Sequence, residues 1–283
     1  MTIGICAHNE AANIGRLLQA IRSQHLKKIK IRSVIVVSSG STDDTESIVR
    51  GFPSVALIRE KERRGKVSAI NLILKRAKTP VVVLISADVI PEKDAIEKLC
   101  TPLSQPGIGI CGAHPIPTNP ETTLMGFVSH VVWGLHHQIA LMQPKFGECI
   151  AFRRVFSKLP PSAVDEEEIA SVIIGKGFKP LYVPDAIVFN KGPETARDFI
   201  KQRRRIYAGH LALRKQTGHT PPTMSNLRLL SLIIRQINLR APFWTAYAMG
   251  LEGMSRILGY WDYRTGRKHL IWQTAASTKQ LKP

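Results

Sequence analysis

The first hundred residues alternate four times between a short apolar run and a segment with helical periodicity. The apolar runs are TIGICA, IRSVIVVSS, VALIRE and PVVVLISAD, and the last is apolar almost throughout, as is typical of a strand buried on both faces. The first helical segment has Ile14, Leu17 and Ile21 on one face. This alternation predicts an α/β fold with a mainly parallel, nucleotide-binding-like sheet and right-handed crossovers.

The polar stretches of the first half each follow one of these apolar runs. Ligands of parallel α/β sheets bind beyond the carboxyl ends of the strands. Those ends are residues 7–10, 38–44, 60–66 and 86–88. We therefore expect the four stretches to meet along one edge of the sheet and to form a ligand site.

The second half predicts three further strands, over GIGICGAHPIP, GECIAFRRVF and KPLYVPDAIVF, and a basic helix over FIKQRRRIYAGHLALRK. A linker rich in Pro, Gly and Thr, TGHTPPT, then precedes two apolar segments that are interrupted by arginines. We expect one domain over residues 1–218 and a basic, amphipathic helical region over residues 219–283.

Charge narrows the choice of partners. Forty Lys and Arg against 21 Asp and Glu give a net charge of +19, and residues 191–283 alone hold seventeen basic and four acidic residues. Such an excess indicates an anionic partner, which could be nucleic acid, acidic lipid or a phosphorylated substrate.

The C-terminal segments have no uninterrupted apolar run near the ~20 residues that a membrane span needs. Leu227, Leu230 and Ile234 fall on one helical face, and the region also carries Trp244, Trp261 and Trp272 among cations. This pattern favours helices that lie in an anionic membrane surface, with packing on the domain as the alternative.

The cysteines and the N-terminus bear on the compartment. Cys6, Cys100, Cys111 and Cys149 form no CxxC pair and no zinc-like spacing, so we expect free thiols in a reducing compartment. The chain opens on a strand-like segment without a signal peptide. We expect a cytoplasmic protein that is peripheral to the membrane.

Two stretches at the sheet edge suit a nucleotide. In HNEAANI, backbone groups and the side chains of His8, Asn9 and Glu10 can hold a base or ribose, although Asn9 could instead cap the next helix. In ERRGKVSAIN, Lys66 follows a glycine at a helix start, where phosphate is favoured. A solvated basic turn is the alternative for this second stretch.

Acidic residues supply the remaining chemistry. Asp88 ends the most buried strand, where Mg²⁺ or Mn²⁺ bridging a diphosphate would suit it, and a helix cap ahead of Pro91 is the alternative. Four acids, residues 165–168, begin a helix, where they either complement the helix dipole or include a general base. In the basic helix, three consecutive arginines over 203–205 must point in different directions, so not all can serve one site.

Taken in order, these motifs resemble the family 2 glycosyltransferases, which have the GT-A fold. The matching motifs are AHNEAANI, SSGSTDDT, RRGKVSAIN, SADVIP, GECIAFRR, DEEEI with GKGF, and QRRRI, over roughly residues 1–215. The resemblance implies a Rossmann-like mixed sheet flanked by helices. It also implies an inverting transferase that uses a UDP- or GDP-sugar and a divalent metal, Mg²⁺ or Mn²⁺.

The resemblance further implies roles for individual residues. Glu166 would be the general base with Asp165 beside it, and Asp88 would be the retained acid of the family's Asp-x-Asp metal motif. The residues expected to line the donor site are Ala7, His8, Asn9, Glu10, Ser38, Ser39, Lys66, Ala87, Asp88, Gln202 and Arg205.

The sequence departs from the polymer synthases of this family in three respects. Ser86 replaces the first acid of the metal motif, Ile206 replaces the tryptophan of Gln-x-x-Arg-Trp, and no channel-forming membrane helices are evident. These departures favour transfer of one or a few sugars to the hydroxyl of a lipid-linked or other glycan acceptor.

Three alternatives remain open at this point. The loss of an acid at Ser86 would suit a sugar-nucleotide-binding protein with weakened catalysis. A nucleic-acid-binding protein would need aromatics among the basic residues, where only Tyr207 is present. A nucleotidyltransferase would need a glycine-rich loop after the first strand, where AHNEAAN stands. We therefore expect no nucleic acid as partner.

Overall fold

The computed structural model describes residues 1–224, 241–271 and 276–278, and the following statements concern these residues. They form one eight-stranded sheet flanked by helices. The strands are β1 (Thr2–Ala7), β2 (Ser33–Ser39), β3 (Val55–Glu60), β4 (Val81–Ser86), β5 (Ile90–Pro91), β6 (Ile108–Pro117), β7 (Cys149–Arg153) and β8 (Lys179–Asn190).

Eight α-helices accompany the sheet in the described part of the chain. They are α1 (Ile14–Arg22), α2 (Thr45–Arg50), α3 (Lys66–Arg76), α4 (Ala95–Cys100), α5 (Leu124–Met142), α6 (Asp165–Gly175), α7 (Ala196–Thr217) and α8 (Pro242–Arg264). Short 3₁₀ turns cover Thr101–Ser104, Pro222–Met224 and Ala276–Thr278.

The sheet is mixed, as the family resemblance implies. Its strand order is β3-β2-β1-β4-β7-β6-β8-β5. The first four strands of that order are parallel, as is the pair β6 and β8, whereas β7 runs antiparallel to both β4 and β6. Strand β5 is a two-residue antiparallel edge on β8. The parallel half therefore carries the strand ends that were expected to form the site.

Two apolar layers enclose the sheet. On one face, Ile3 and Ile5 of β1 pack with buried residues of α1 and α4. On the other face, residues of β2 and β4 pack with α3 and α6. Gly4 makes the second contact close, because a Cβ there would lie 2.5 Å from Cγ2 of Ile73 on α3. Helix α3 is thereby held tightly over β1, which positions its first residue at the sheet edge.

Ion pairs between side chains of α7 and α8 join the two helices. Arg203 donates two hydrogen bonds to Glu252, at 2.8 and 2.9 Å, and Arg256 donates to the same carboxylate at 2.8 Å. Arg204 pairs with Asp262, which also contacts His269 at 2.8 Å. The second C-terminal segment is thus helical, as expected, and is packed on the sheet domain through α7.

Two expectations for the C-terminal region lie outside the described residues: the helix over 227–239 and Trp272. Within the described ranges, no helix combines the length and the apolar character that crossing a bilayer requires. All four cysteines are unpaired, and three of them are buried, which confirms the prediction of free thiols.

We expect the substitution Glu252→Gln to destabilise the protein by about 3 kcal/mol at pH 7, because it leaves two arginines without their shared carboxylate. Burial alone would raise the pKa of Glu252, but Arg203 and Arg256 lower it to about 2. Its contribution is therefore complete above the unfolded pKa of about 4.3 and is lost as the pH falls from there toward 2. Urea denaturation across that pH range measures the effect.

The control is Asp94→Asn, which breaks an exposed pair with Lys98 (2.8 Å) on α4. That change should cost under about 1 kcal/mol. Equal losses in the two variants would contradict a buried network that fixes α8.

Candidate functional site

The carboxyl ends of β1, β2 and β4 lie side by side and form the floor of a cleft. Ala7 is in register with Ser38 on one side, and Cys6 with Ser86 on the other. The cleft opens into a cavity of about 790 Å³ that is enclosed on its other sides by α5, α7 and α8. The four stretches expected to meet at one edge therefore do so.

The loop after β1 is fixed against the loop after β2. Nδ1 of His8 hydrogen-bonds the carbonyl of Ser39 at 2.8 Å, and the Glu10 amide donates to Oγ1 of Thr45 at 2.7 Å. Asn9 has a φ of 53°, a left-handed conformation that asparagine tolerates, and its side chain accepts from the Thr42 amide at 2.8 Å. These bonds make the first wall of the cleft rigid.

The two serines that end β2 point to opposite sides. Ser38 is fully buried, and its hydroxyl donates to Glu46 and lies 3.0 Å from the Ser41 hydroxyl. Ser39 lines the cavity and accepts from the Arg64 amide at 3.1 Å. Successive side chains of a strand alternate between its faces, so only one of the two can reach the cleft.

A buried ion cluster joins α3 to α6. Nζ of Lys66, the first residue of α3, lies 2.9 Å from Asp165 and 2.5 Å from Glu166, the first residues of α6. Asp165 is 1% exposed and does not line the cavity, whereas Glu166 does. The preceding residue, Gly65, has a φ of 88° and approaches the backbone of Leu270 closely.

The two carboxyl groups of this cluster differ in acidity. Burial, and then the charge of Glu166, raise the pKa of Asp165 to about 6. Burial alone would raise the pKa of Glu166 as well, but the Lys66 ammonium outweighs it and lowers that pKa. The carboxyl group that faces the cavity is therefore the more acidic of the two.

A second carboxylate pair lies at the end of β4. Glu148 precedes the antiparallel strand β7, and its carbonyl accepts from the Ser86 amide at 2.9 Å. The Ser86 side chain hydrogen-bonds the Glu148 carboxylate, and burial together with the nearby Asp88 raises the pKa of Glu148 to about 7. Glu148 also has a φ of 52°, which costs roughly 1–3 kcal/mol in a residue other than glycine.

Glu148 is not among the site residues that the sequence predicts. The only signal was an acidic residue directly before an apolar strand, in GECIAFRR. Its importance depends on cross-strand pairing with Ser86 and on a left-handed backbone, and neither can be read from one sequence.

The three consecutive arginines of α7 diverge, as expected. Arg203 and Arg204 pair with carboxylates of α8. Arg205 donates to the carbonyl of Ala163 at 2.6 Å and lines the cavity. Burial lowers its pKa to about 10, partly countered by Asp165, Glu166 and Glu148.

The structure brings most of the expected site residues to one cavity. Those that line it are Ala7, His8, Glu10, Ser39, Lys66, Ala87, Asp88, Glu166, Gln202 and Arg205. Asn9, Ser38 and Asp165 lie behind this lining and support the loops and the helix that form it.

Comparison with known proteins gives a family match. The model of the family described as Glycosyl transferase family 2 matches residues 2–158, which is more than half of the chain. A glycosyltransferase of Haloferax volcanii named AglE is 28% identical over 125 residues, or 43% of this chain and 41% of the relative. The poly-β-1,6-N-acetyl-D-glucosamine synthase of Staphylococcus aureus is 24% identical over 255 residues, 84% of this chain and 61% of the relative.

The chain spans about half the length of several curated relatives that it matches, with 41% to 46% of their length covered.

Solved structures give the fold. The mannosyltransferase PcManGT of Pyrobaculum calidifontis, in complex with GDP-Man and Mn²⁺, superposes with a TM-score of 0.69 at 22% identity, covering 94% of this chain and 87% of that one. Glucosyl-3-phosphoglycerate synthase of Mycobacterium tuberculosis, in complex with Mn²⁺, UDP and phosphoglyceric acid, gives 0.51 at 19% identity, covering 73% and 75%. This likeness confirms the GT-A fold.

Proposed function

The chain belongs to glycosyl transferase family 2, and on that basis we propose that it transfers a sugar from a nucleotide-diphospho-sugar to an acceptor hydroxyl with inversion. The observation that carries the proposal is the ionised Glu166 carboxylate, held by Lys66 at 2.5 Å and facing a cavity at the strand ends. UDP- and GDP-sugars are the donor classes, by analogy with the ligands of PcManGT and glucosyl-3-phosphoglycerate synthase.

The residues at the end of β4 suit a divalent metal. Asp88 and Glu148 provide carboxylate oxygens in electrostatic contact, and Ser86 adds a hydroxyl. Within the described part of the chain, no group of three or more His, Cys, Asp or Glu residues is placed to hold a metal by itself. Mg²⁺ and Mn²⁺ commonly use one or two carboxylates and complete their coordination with waters and substrate phosphates, so the two carboxylates fit that ion. When bound, the metal would offset charge on a diphosphate leaving group.

The reaction that follows is a single displacement at the anomeric carbon. Glu166 takes the proton of the acceptor hydroxyl, the acceptor oxygen bonds to the anomeric carbon, and the bond from that carbon to the diphosphate breaks. Lys66 and Arg205 lie beside the carboxylates and stabilise the negative charge that develops on the diphosphate. Asp165 acts as a positioning residue, because it shares Lys66 with Glu166 without facing the cavity.

The main alternative is a protein of the same fold that binds sugar nucleotides without turnover. It is motivated by Ser86 in place of the family's first acid. Glu148 argues against this alternative, since it supplies a second carboxylate beside Asp88 and Ser86. A nucleic-acid-binding role is not favoured, because Arg203 and Arg204 are tied to Glu252 and Asp262 rather than forming an open basic patch.

The part of the cavity that lies between α5, α7 and α8 supports a lipid-linked acceptor. It is lined by apolar residues of α5, α7 and α8: Val131, Val132, Trp133, Leu135, Ile139, Phe199, Ile200, Ala248 and Met249. On the outside of α8, a stripe of exposed apolar residues at helical spacing comprises Phe243, Tyr247, Met254, Ile257 and Trp261. Arg264, Arg267 and Lys268 follow this stripe. We propose that α8 lies on an anionic membrane surface, and the unpaired cysteines support the cytoplasmic side.

We expect Glu166→Gln to lower transfer from UDP- or GDP-sugars by about 10²–10⁴, because it removes the group that accepts the proton. Nucleotide affinity, measured by calorimetry with Mn²⁺, should stay within about threefold of the wild-type value. The matched control is Glu168→Gln on the same helical turn, which does not line the cavity. Absence of any metal-dependent transfer or donor hydrolysis by the wild-type protein, with nucleotide binding intact, would favour the non-catalytic alternative.

We expect Glu148→Ala to weaken Mn²⁺ binding in the presence of UDP or GDP by about tenfold or more. Adding Ser86→Asp to that variant should recover most of the affinity, because it returns a carboxylate to the same place. Calorimetry and the Mn²⁺ electron paramagnetic resonance signal measure binding without turnover. Glu121→Ala, which removes an exposed acid (73% exposed), is the control and should change nothing. Unchanged Mn²⁺ affinity in Glu148→Ala would remove Glu148 from the metal site.

We expect the double variant Phe243→Ser/Trp261→Ser to lose most of its flotation with anionic vesicles, because it interrupts the apolar stripe. Met249→Ser is the matched control on the same helix, since Met249 is also exposed (45%) but lies outside the stripe. Flotation should also weaken with neutral vesicles or high salt. Equal flotation of the wild-type protein and the double variant would exclude the stripe as the membrane contact.

A further inference from the structure

A buried lysine in the cavity carries a charge that the mechanism above does not use. Lys145 lies in the loop between α5 and β7, is 9% exposed and lines the cavity. Within the described residues, its ammonium group makes no hydrogen bond and no ion pair. A desolvated cation without a partner is expensive, and such charges in proteins are normally paired.

The carboxylates around Lys145 are already engaged by other groups. The charged groups that act on Lys145 include Glu167, Arg203, Glu166 and Glu252. Glu252 is shared by Arg203 and Arg256, and Glu166 is held by Lys66. Glu167 is engaged by the Phe146 amide at 3.4 Å and by His219 at 3.3 Å. The protein therefore leaves a place for an added anion.

Two neutral histidines complete this pocket. His136 and His210 are 6% and 4% exposed and line the same cavity. Burial, and then the charges of Lys145 and Arg203, lower the pKa of both side chains well below the usual value. A neutral imidazole retains one N–H donor, so each can add a hydrogen bond to an anion without adding charge.

We propose that Lys145, with Arg203, Arg256, His136 and His210, binds a phosphate group of the acceptor substrate. This inference rests on the proposed transferase function and adds the chemical class of the acceptor. Lys145 is also electrostatically coupled to Glu166, so an acceptor can present its hydroxyl to Glu166 while its phosphate meets Lys145. The apolar lining by α5, α7 and α8 then receives the rest of the acceptor.

The position of this pocket distinguishes it from the donor site. Asp88, Glu148 and Ser86 lie at the sheet edge, where a donor diphosphate is expected. The other cations of this pocket, Arg203 and Arg256, come instead from α7 and α8, the helices that also form the apolar part of the cavity. An acceptor that carries both a phosphate and an apolar chain fits these neighbouring surfaces.

The test measures phosphate binding after the donor site is filled. With saturating UDP or GDP and Mg²⁺, calorimetry and thermal shift compare hexyl phosphate, 1-hexanol, glycerol 3-phosphate and inorganic phosphate. We expect hexyl phosphate to bind and 1-hexanol not to. Lys145→Met should weaken hexyl phosphate at least about tenfold, as expected for a charged hydrogen bond, whereas Lys145→Arg should retain most of the affinity.

The variant should fold, because it removes a charge that is unpaired without ligand. Lys145→Met should therefore raise the Tm of the free protein while it abolishes stabilisation by hexyl phosphate. Lys98→Met, on the exposed surface of α4, is the control and should have neither effect.

The outcomes separate the possibilities. Tighter binding of hexyl phosphate than of glycerol 3-phosphate indicates a lipid-linked acceptor, and equal binding indicates a soluble phosphorylated one; both support the site. Equal affinity of hexyl phosphate for the wild-type protein and Lys145→Met would overturn it, as would loss of phosphate binding once UDP or GDP is present. Failure of UDP and GDP themselves to bind would instead refute the proposed transferase.

Discussion

The cluster of Lys66, Asp165 and Glu166 is the interaction on which the arrangement of the cavity depends. Burying two adjacent carboxylates at a helix start is unfavourable without a cation, and burying Lys66 is unfavourable without them. Nζ of Lys66 lies 2.9 Å from Asp165 and 2.5 Å from Glu166, so the opposite charges offset each other's desolvation cost. Because the partners are a hundred residues apart, the cluster also fixes α6 relative to α3, and it thereby sets where Glu166 enters the cavity.

The same reasoning explains why charge is divided within the cavity. Carboxylates lie at the sheet edge, where the ends of β4 and β7 bring Asp88 and Glu148 together. Cations lie on the helical side, where Arg203 and Arg256 share Glu252. A substrate with two anionic parts would meet a metal at one end and fixed cations at the other. Part of the large positive charge therefore belongs to cations that line the cavity or are paired inside the molecule. The net charge alone suggests a more basic outer surface than the protein has.

Much of the fold could be predicted because burial leaves a pattern in composition. The continuous apolar run of β4 and the helical spacing of Ile14, Leu17 and Ile21 each follow from the layers that cover them. Strand alternation also predicts that only one of Ser38 and Ser39 reaches the cavity. Which of the two does so depends on which face of β2 is covered, and the sequence does not show that. Glu148 and Lys145 could not be identified, because both lie in an irregular loop and acquire meaning only from residues distant in sequence.

Glu148 and Ser86 are best considered together, because Glu148 supplies the carboxylate that the family motif would have at position 86. The family motif has an acid where Ser86 stands, and here a carboxylate comes beside Ser86 from the loop that precedes the neighbouring antiparallel strand. Glutamate needs extra support to do so: the Ser86 side chain hydrogen-bonds it, and Asn190 lies 3.4 Å away. The left-handed backbone at Glu148 adds a cost in free energy, and in return it directs the side chain toward Ser86. Restoring an acid at position 86 alone would place three carboxylates together and raise their pKa values by repulsion. Exchanging the two positions together keeps the number of carboxylates unchanged and avoids this repulsion in the metal-free protein.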